Sequence, residues 1–298
     1  GEISELTKLL QPNIAIITNI GPTHLKYFNN TKNVAKEKSD IFNSKFNSKI
    51  KSVIIPNQGL HIKYILNKIK KDTLCKVLTF GNKNSANTYL KKVEKIDNQN
   101  FSINVSVSGQ NLKYKISVNG IHQILNNLIC LSVFNILNLD FNPFLQYASS
   151  LPKLSGRGKL YNLLFNNKKI TLIDESYNAS PMSMKATIEY FDKYINENQN
   201  KKILILGDML ELGKESVLFH KNISKYLNPS SFDLVITCGK LIKNLYNFYQ
   251  NKKNILFFEI DEKLYDYLKQ NIKENDIILA KCSNNTLVNK FINKIKKC

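Results

Sequence analysis

The stretch Ile170-Thr171-Leu172-Ile173-Asp174-Glu175-Ser176-Tyr177-Asn178-Ala179-Ser180-Pro181 decides the fold. An apolar run over Ile170 to Asp174 ends in two acids and a polar turn. A helical pattern follows, expected over Ser183 to Asn196. That order reads as a buried strand, a loop and a helix. The same unit recurs downstream. Strands are expected at Ile203 to Leu206, Leu234 to Cys238, Ile255 to Phe258 and Ile277 to Ala280. Helices are expected at Ser216 to Leu227, Lys240 to Gln250, Glu262 to Ile272 and Leu287 to Ile295. Strand–helix alternation at this spacing implies a mostly parallel, doubly wound sheet. Ligands on such sheets bind beyond the carboxyl ends of the strands. Those ends carry Glu175 to Pro181, Gly207-Asp208, Gly239 and Lys281-Cys282-Ser283.

Upstream, the pattern is more mixed. A buried strand is expected over Ile14 to Ile20, a turn at Gly21-Pro22 and a helix over Val34 to Phe46. A short strand at Val53 to Pro56 and a helix at Ile62 to Lys71 follow. Strands are then expected at Val77 to Phe80, Ser102 to Val107 and Leu112 to Val118, the last two joined by a hairpin at Gly109-Gln110. Ile121 to Leu139 returns to helix. Leu151-Pro152-Lys153-Leu154-Ser155-Gly156 reads as a linker, so the expected division is 1–150 and 151–298.

The chain has 298 residues, 43% of them hydrophobic, enough for two domains with packed cores. It holds no apolar run long enough for a membrane span and no signal-peptide pattern, and a cytoplasmic protein is expected. The first residue is Gly1 rather than Met, which points to a fragment or a processed piece. The net charge of +20 raises nucleic-acid binding as one reading. Codon bias is the other. Of 43 basic residues only Arg157 is arginine, and Lys, Asn and Ile share A/T-rich codons. The lysines are dispersed, with no basic stripe interleaved with aromatics, so no nucleic-acid partner is expected. The five cysteines lie far apart and form no CxxC pair, which argues against a zinc or disulfide framework.

Several constellations carry possible chemistry. Thr18-Asn19-Ile20-Gly21-Pro22-Thr23-His24 places a histidine after a strand, with Lys36 and Lys38 on the next helix. The histidine suits either a metal or phosphate contact or a structural role. His122 and Asn126 stand at i and i+4 near a helix start, where a nucleotide base or phosphate could bind and where ordinary polarity is also common. In Ser155-Gly156-Arg157-Gly158-Lys159, a chain that uses lysine almost everywhere keeps its one arginine. Planar bidentate binding of phosphate or carboxylate is what lysine cannot do. Asp174-Glu175 at a strand end suits a metal nucleotide or an amine by charge, or a helix cap. Leu206-Gly207-Asp208-Met209-Leu210-Glu211-Leu212-Gly213-Lys214 superficially imitates a phosphate loop. It fails, because five residues rather than four separate the glycines and Glu215 follows Lys214.

Taken together, Gly1 to Leu6, Thr18 to His24, Ala35 to Phe42, Asp174 to Pro181 and Leu206 to Gly213 resemble the Mur ligase family, and within it the D-alanyl-D-alanine-adding branch. The resemblance implies an α/β fold. A partial central P-loop-type ATPase domain without its P-loop would fill 1–150, and a Rossmann-like doubly wound C-terminal domain would fill 151–298. It implies ATP-dependent amide-bond synthesis through an acyl phosphate, with ATP and Mg2+. UDP-MurNAc-tripeptide and D-Ala-D-Ala would be the partners of a monomer. Lys38, as a carbamate, and His24 would serve the metal. Asn126 and His122 would face the adenine, and Arg157 the phosphates. Glu175, Tyr177 and Asn178 would line the nucleotide side. Ser176, Asp208, Glu211 and Lys281 would line the acceptor side. Lys38, His24 and Arg157 would be the catalytic set. The resemblance does not extend to the family's N-terminal uridine-nucleotide-binding domain or its phosphate loop. The chain by itself is therefore expected to be inactive, and the alternative is a non-catalytic binding or interaction module derived from such a ligase.

Overall fold

A computed structural model describes residues 1–118, 120–194, 201–249 and 252–297, with residues 121 and 122 described as backbone only. The chain divides into two compact units, Gly1–Leu151 and Pro152–Cys298.

In the first unit, helix α1 (Glu2–Leu10) leads into strand β1 (Ile14–Ile16). Helices α2 (Leu25–Phe28) and α3 (Thr31–Lys38), strand β2 (Ser52–Pro56), helix α4 (Ile62–Asp72) and strand β3 (Lys76–Gly81) follow. Strands β4 (Thr88–Lys95), β5 (Asn100–Val107) and β6 (Gln110–Ser117) and helices α5 (Ile121–Ile136) and α6 (Asn142–Tyr147) complete it. The sheet runs β1-β2-β3-β4-β5-β6. β1, β2 and β3 are parallel, whereas β4, β5 and β6 form an antiparallel meander. β2 is buried over Ser52, Val53, Ile54 and Ile55, as a central parallel strand covered on both faces must be. Val53 and Ile55 pack with Ala35, Phe42, Ile65 and Ile69 of the α3–α4 side, while Ile54 packs with Ile124, Leu128 and Leu131 of α5.

Three expectations are corrected here. β1 is shorter than Ile14 to Ile20: Ile17 still donates to the Ile54 carbonyl at 2.9 Å, but Thr18 and Asn19 leave the sheet and are exposed. The helix expected over Val34 to Phe46 is α3 followed by a 3-10 turn, Ser39–Phe42. The Ser39 hydroxyl donates to the Ala35 carbonyl at 2.7 Å, the back-bonding that competes with regular helix. β4 was unexpected. Lys91 and Lys92 interrupt its alternation, and the ladder to β5 carries an irregularity between Leu90 and Lys92 that shifts the period-two pattern.

In the second unit, strands β7 (Lys159–Phe165) and β8 (Lys168–Glu175) form a hairpin. Helix α7 (Pro181–Asp192), strand β9 (Lys202–Gly207), helix α8 (Ser216–Lys221), strand β10 (Leu234–Cys238) and helix α9 (Lys243–Phe248) follow. Strand β11 (Ile255–Phe258), helix α10 (Asp261–Asn271), strand β12 (Ile277–Lys281) and helix α11 (Leu287–Ile295) end it. The expected helix ends at Asn196 and Gln250 lie outside the described residues. The sheet order is β11-β10-β9-β12-β8-β7, parallel except for β7. β7 was also unexpected; Asn166 (φ +50°) and Asn167 (φ +60°) supply its two-residue turn, the backbone such hairpins need.

Alternate residues of the strands feed two cores. Leu172, Ile203, Ile205, Ile236 and Ile278 face α10 and α11 through Leu264, Leu268, Phe291 and Ile292. Ile173, Leu204, Leu206, Val235 and Leu279 face α7, α8 and α9 through Met184, Ile188, Phe191 and Leu245. Each fully buried side chain of this size contributes about 1.5–3 kcal/mol. Connections from β8 and β9 leave on one face, and that from β12, lying between them, leaves on the other. Loops therefore part on either side of β12, the place where open α/β sheets form crevices. No helix among the described residues is long and apolar enough to cross a membrane.

Candidate functional site

Asp174, the last residue but one of β8, is fully buried. Its Oδ1 accepts from the Ser176 amide at 3.0 Å and the Ser176 hydroxyl at 2.6 Å. Its Oδ2 accepts from the Gly156 amide at 3.1 Å and from Lys296 Nζ at 2.8 Å. Its carbonyl accepts from the Gly158 amide at 2.8 Å. Burial alone would raise the Asp174 carboxyl. Bonding to Lys296 and Ser176 outweighs it and holds the group below its ordinary value.

Arg157 sits on the turn so tethered. Gly156 has φ +74°, and a Cβ there would lie 2.7 Å from the Tyr177 Cβ, so only glycine fits. Tyr177 returns a hydrogen bond, its amide donating to the Gly156 carbonyl at 3.1 Å. The exposed Arg157 guanidinium lies 4.3 Å from the centroid of the Tyr177 ring, which is itself 49% exposed. The result is a planar, five-donor cation held over an aromatic ring at the protein surface.

Glu175 and Lys281 form a second pair one residue further along. They are register partners on β8 and β12, and both are nearly buried. Lys281 Nζ lies 3.3 Å from Glu175 Oε2 and donates to the Asn178 carbonyl at 2.9 Å. Burial pushes the Glu175 carboxyl up, against the pull of Lys281, with the Asp174 charge adding to the rise. Asn178 is exposed, and its Oδ1 accepts from the Ala179 amide. Ser176 is buried and its hydroxyl is engaged by Asp174; its carbonyl accepts from Asn289 at 3.0 Å. Ser176 thus shapes the loop and does not face solvent.

The end of β9 lies beside this group. Asp208 Oδ1 accepts from the Leu241 and Ile242 amides at 3.0 and 2.8 Å. A Cβ on Gly239 (φ +137°) would come within 2.6 Å of that carboxylate, so Asp208 holds the loop after β10. Glu211 is exposed in the following turn at φ +62°. The turn is fixed from below by buried His220, whose Nε2 accepts from the Met209 amide at 2.9 Å and whose Nδ1 lies 2.6 Å from the Ser216 carbonyl. That pattern selects the neutral ring protonated at Nδ1, and burial pushes its pKa down.

In the first unit, Lys38 closes α3 and reaches back to the turn after β1, donating from Nζ to the Asn19 carbonyl at 3.1 Å. Burial pushes its ammonium down. His24 is exposed at φ +54° and opens α2. Asn126 lies on the exposed side of α5, opposite the buried Ile124 and Leu128. The side chain of His122 lies outside the described residues. No group of three or more His, Cys, Asp or Glu among the described residues is arranged to hold a metal ion.

Sequence reasoning missed Lys296 and Asn289, and it noted Ser283 at a strand end and His220 on the helix after the loop without giving either a role. Ser283 accepts from the Leu210 amide at 3.0 Å. Lys296 had no local signal, being one lysine among many. His220 stood in a helix beside the noted loop, and only folding shows which loop amide it meets.

Comparison with known proteins places these units. Residues 1–134 match the Mur ligase middle domain, and residues 162–284 match the Mur ligase glutamate ligase domain. A UDP-N-acetylmuramoyl-tripeptide--D-alanyl-D-alanine ligase of Rickettsia prowazekii is 29% identical over 98% of this chain and 63% of its own length. The ligase of the same name from Buchnera aphidicola subsp. Baizongia pistaciae is 31% identical over 99% of this chain and 61% of its own. The crystal structure of MurF from Thermotoga maritima in complex with ADP superposes with a TM-score of 0.80 at 22% identity, over 100% of this chain and 64% of that one. This chain therefore spans about three fifths of the curated relatives it matches.

Proposed function

From the premise that this chain belongs to the Mur ligase family, we propose that it is the central and C-terminal part, residues 1–150 and 151–298, of an ATP-dependent ligase. The reaction joins D-Ala-D-Ala to the peptide of UDP-MurNAc-tripeptide. The names of its relatives support the substrates, and the ADP bound to the Thermotoga maritima protein supports the nucleotide. The single observation that carries a nucleotide site on this chain is Arg157. It is the sole arginine, exposed, stacked on Tyr177 and held between two backbone amides tied to Asp174.

In this reading the tripeptide carboxylate takes the γ-phosphoryl of ATP and releases ADP. The amine of D-Ala-D-Ala then attacks the acyl carbon, and inorganic phosphate leaves. Arg157 contributes planar donors to phosphoryl oxygens, which gather charge during transfer. Tyr177 and Asn178 present their exposed side chains on the adjoining loop after β8, which Lys281 holds through the Asn178 carbonyl. Asn126, with His122, addresses the adenine, and Glu211 the acceptor dipeptide.

Lys38 has a separate task. Burial raises its share of free amine, the form that attacks carbon dioxide. The ammonium first gives one proton to water, and formation of the N–C bond releases a second from the nitrogen, so a cation becomes a carbamate anion with two oxygen donors. Unmodified, the ammonium and His24 do not make a magnesium site, because that ion demands oxygen ligands. As a carbamate, Lys38 would hold it, with His24 beside it. Magnesium held there would supply charge neutralisation for the phosphates. The chain works in the cytoplasm as a monomer in this reading; the four described cysteines are free thiols, in keeping with a reducing compartment.

The test is an assay of this chain preceded by the portion of a relative that it does not span. D-Ala-D-Ala-dependent phosphate release, requiring both UDP-MurNAc-tripeptide and ATP, is expected. A folded, ATP-binding protein that releases no phosphate with that substrate pair would overturn the reading.

A further inference from the structure

The last turn behind α11 has no part in the proposed chemistry, yet its Lys296 reaches 122 residues back to the turn that carries Arg157. Four of the α11 side chains, Val288, Phe291, Ile292 and Ile295, are buried, so the helix is fixed and its end with it. Lys296 Nζ donates to Asp174 Oδ2 at 2.8 Å and to Ser155 Oγ at 3.3 Å. Tyr161 on β7 also donates to Ser155 Oγ, at 3.0 Å, and its ring lies 5.5 Å from Lys296 Nζ. Ser155 immediately precedes Gly156, and Asp174 receives the amides of both Gly156 and Gly158.

We propose that Lys296 is a positioning residue for Arg157: it neutralises Asp174 and anchors the Ser155–Gly158 turn, so that the guanidinium stays turned outward for an anionic ligand. Two buried carboxylates, Asp174 and Glu175, face two lysines, Lys296 and Lys281. The pairs are complete, and among the described residues no carboxylate is bonded to Arg157. Remove Lys296, and two buried carboxylates share one lysine. Arg157 is already near enough to influence the ionisation of Glu175, and it is the cation on the same turn. A buried unpaired carboxylate is costly, so the guanidinium would be drawn inward and its donors lost to a ligand. Arginine at 296 would retain the neutralisation; an uncharged side chain would not.

The inference rests on the reading of Arg157 as the phosphate contact, and its test separates the two. Because the chain has one arginine, its side-chain Nε–H gives a single resonance in the 15N-labelled full chain. The amides of Gly156 and Gly158 and the Arg157 Nε–H are followed in wild type, Lys296→Met, Lys296→Arg and the exposed-neighbour control Lys297→Met, with and without MgADP. Lys296→Met is expected to shift all three signals and to weaken the MgADP response of Nε–H at least tenfold. Lys296→Arg should restore both, and Lys297→Met should change neither. If Lys296→Met does not fold, Lys296→Gln, which keeps a donor without the charge, decides. Unchanged glycine and Nε–H signals in the uncharged variant, or a folded Lys296→Arg as impaired as Lys296→Met, overturn the proposal. If MgADP leaves Nε–H unmoved in wild type while Lys296→Met still displaces the turn, the nucleotide reading fails and the positioning role stands.

Discussion

The turn after β1 and the loop after β8 both follow parallel strands, yet they are built in opposite ways. The end of β8 is closed on itself: Asp174 pairs with Lys296 and Glu175 with Lys281, while Tyr177 and Asn178 of the loop beyond it and Arg157 of the turn before β7 are exposed. The turn after β1 is open. Thr18, Asn19 and His24 are exposed, and Lys38 meets it through a carbonyl. A charge network assembled in the fold is rigid before any ligand arrives. A half-buried lysine held through one backbone carbonyl is tied less tightly. Stability should therefore reside in the first region and chemical adaptability in the second.

The sharpest way to break that comparison is Asp174→Ala. It strands Lys296 and the Gly156 and Ser176 donors, and should cost about 3–5 kcal/mol in chemical denaturation. A loss near that of a surface substitution would mean the loop is not a stability centre. Next comes His220→Phe, which leaves the Met209 amide unpaired and should cost about 1–3 kcal/mol. Lys38→Ala should cost only about 0.5–1.5 kcal/mol of stability, the worth of one hydrogen bond, yet abolish turnover in the completed enzyme. Partial rescue by short carboxylates or bicarbonate is expected there, and wild-type turnover would remove Lys38 from the site. Arg157→Lys should barely alter the denaturation midpoint, while weakening nucleotide binding about tenfold, or about 1.4 kcal/mol; unchanged calorimetric affinity would make the lone arginine incidental.

pH sharpens the comparison within the closed loop itself. Asp174 is depressed, so its contribution is present above its unfolded value near 3.9 and is lost as pH falls through the folded value. Glu175 is raised, so ionising it costs stability as pH climbs from its unfolded value, near 4.3, through the folded one, and acid relieves that cost. Carbon-detected carboxyl titrations should find the two neighbours displaced in opposite directions. His220 is depressed as well: below about 6.5 the unfolded chain takes up a proton that the folded ring refuses, so stability should decline from there toward its folded value. His220→Phe should flatten that slope.

Much of this site was readable along the chain. Ile170 to Asp174 is apolar in a run that suits a strand buried on both faces, and the structure puts Leu172 and Ile173 into opposite cores. Of the strand ends named from the alternation, those of β8 and β9 flank β12, and that of β10 lies one strand further out. β4 and β7 were not readable in the same way. β4 carries adjacent lysines and an irregular ladder, and β7 announces itself mainly through Asn166-Asn167. Burial also reassigned roles. Ser176 and Asp208 look like ligand contacts in a motif, but folding turns the Ser176 hydroxyl onto Asp174 and one Asp208 oxygen onto the amides of Leu241 and Ile242.

The doubly wound architecture of the second unit and the singular position of Arg157 are legible along the chain. Those follow from periodicity, turn residues and composition, all of which are local. Only the tertiary structure decided which lysine among many neutralises Asp174, which carboxylate pairs with Lys281, and which polar side chains are shut away from solvent. Such choices depend on contacts more than a hundred residues apart, where low-dielectric burial makes pairing obligatory and where no pattern along the chain distinguishes one lysine from the next.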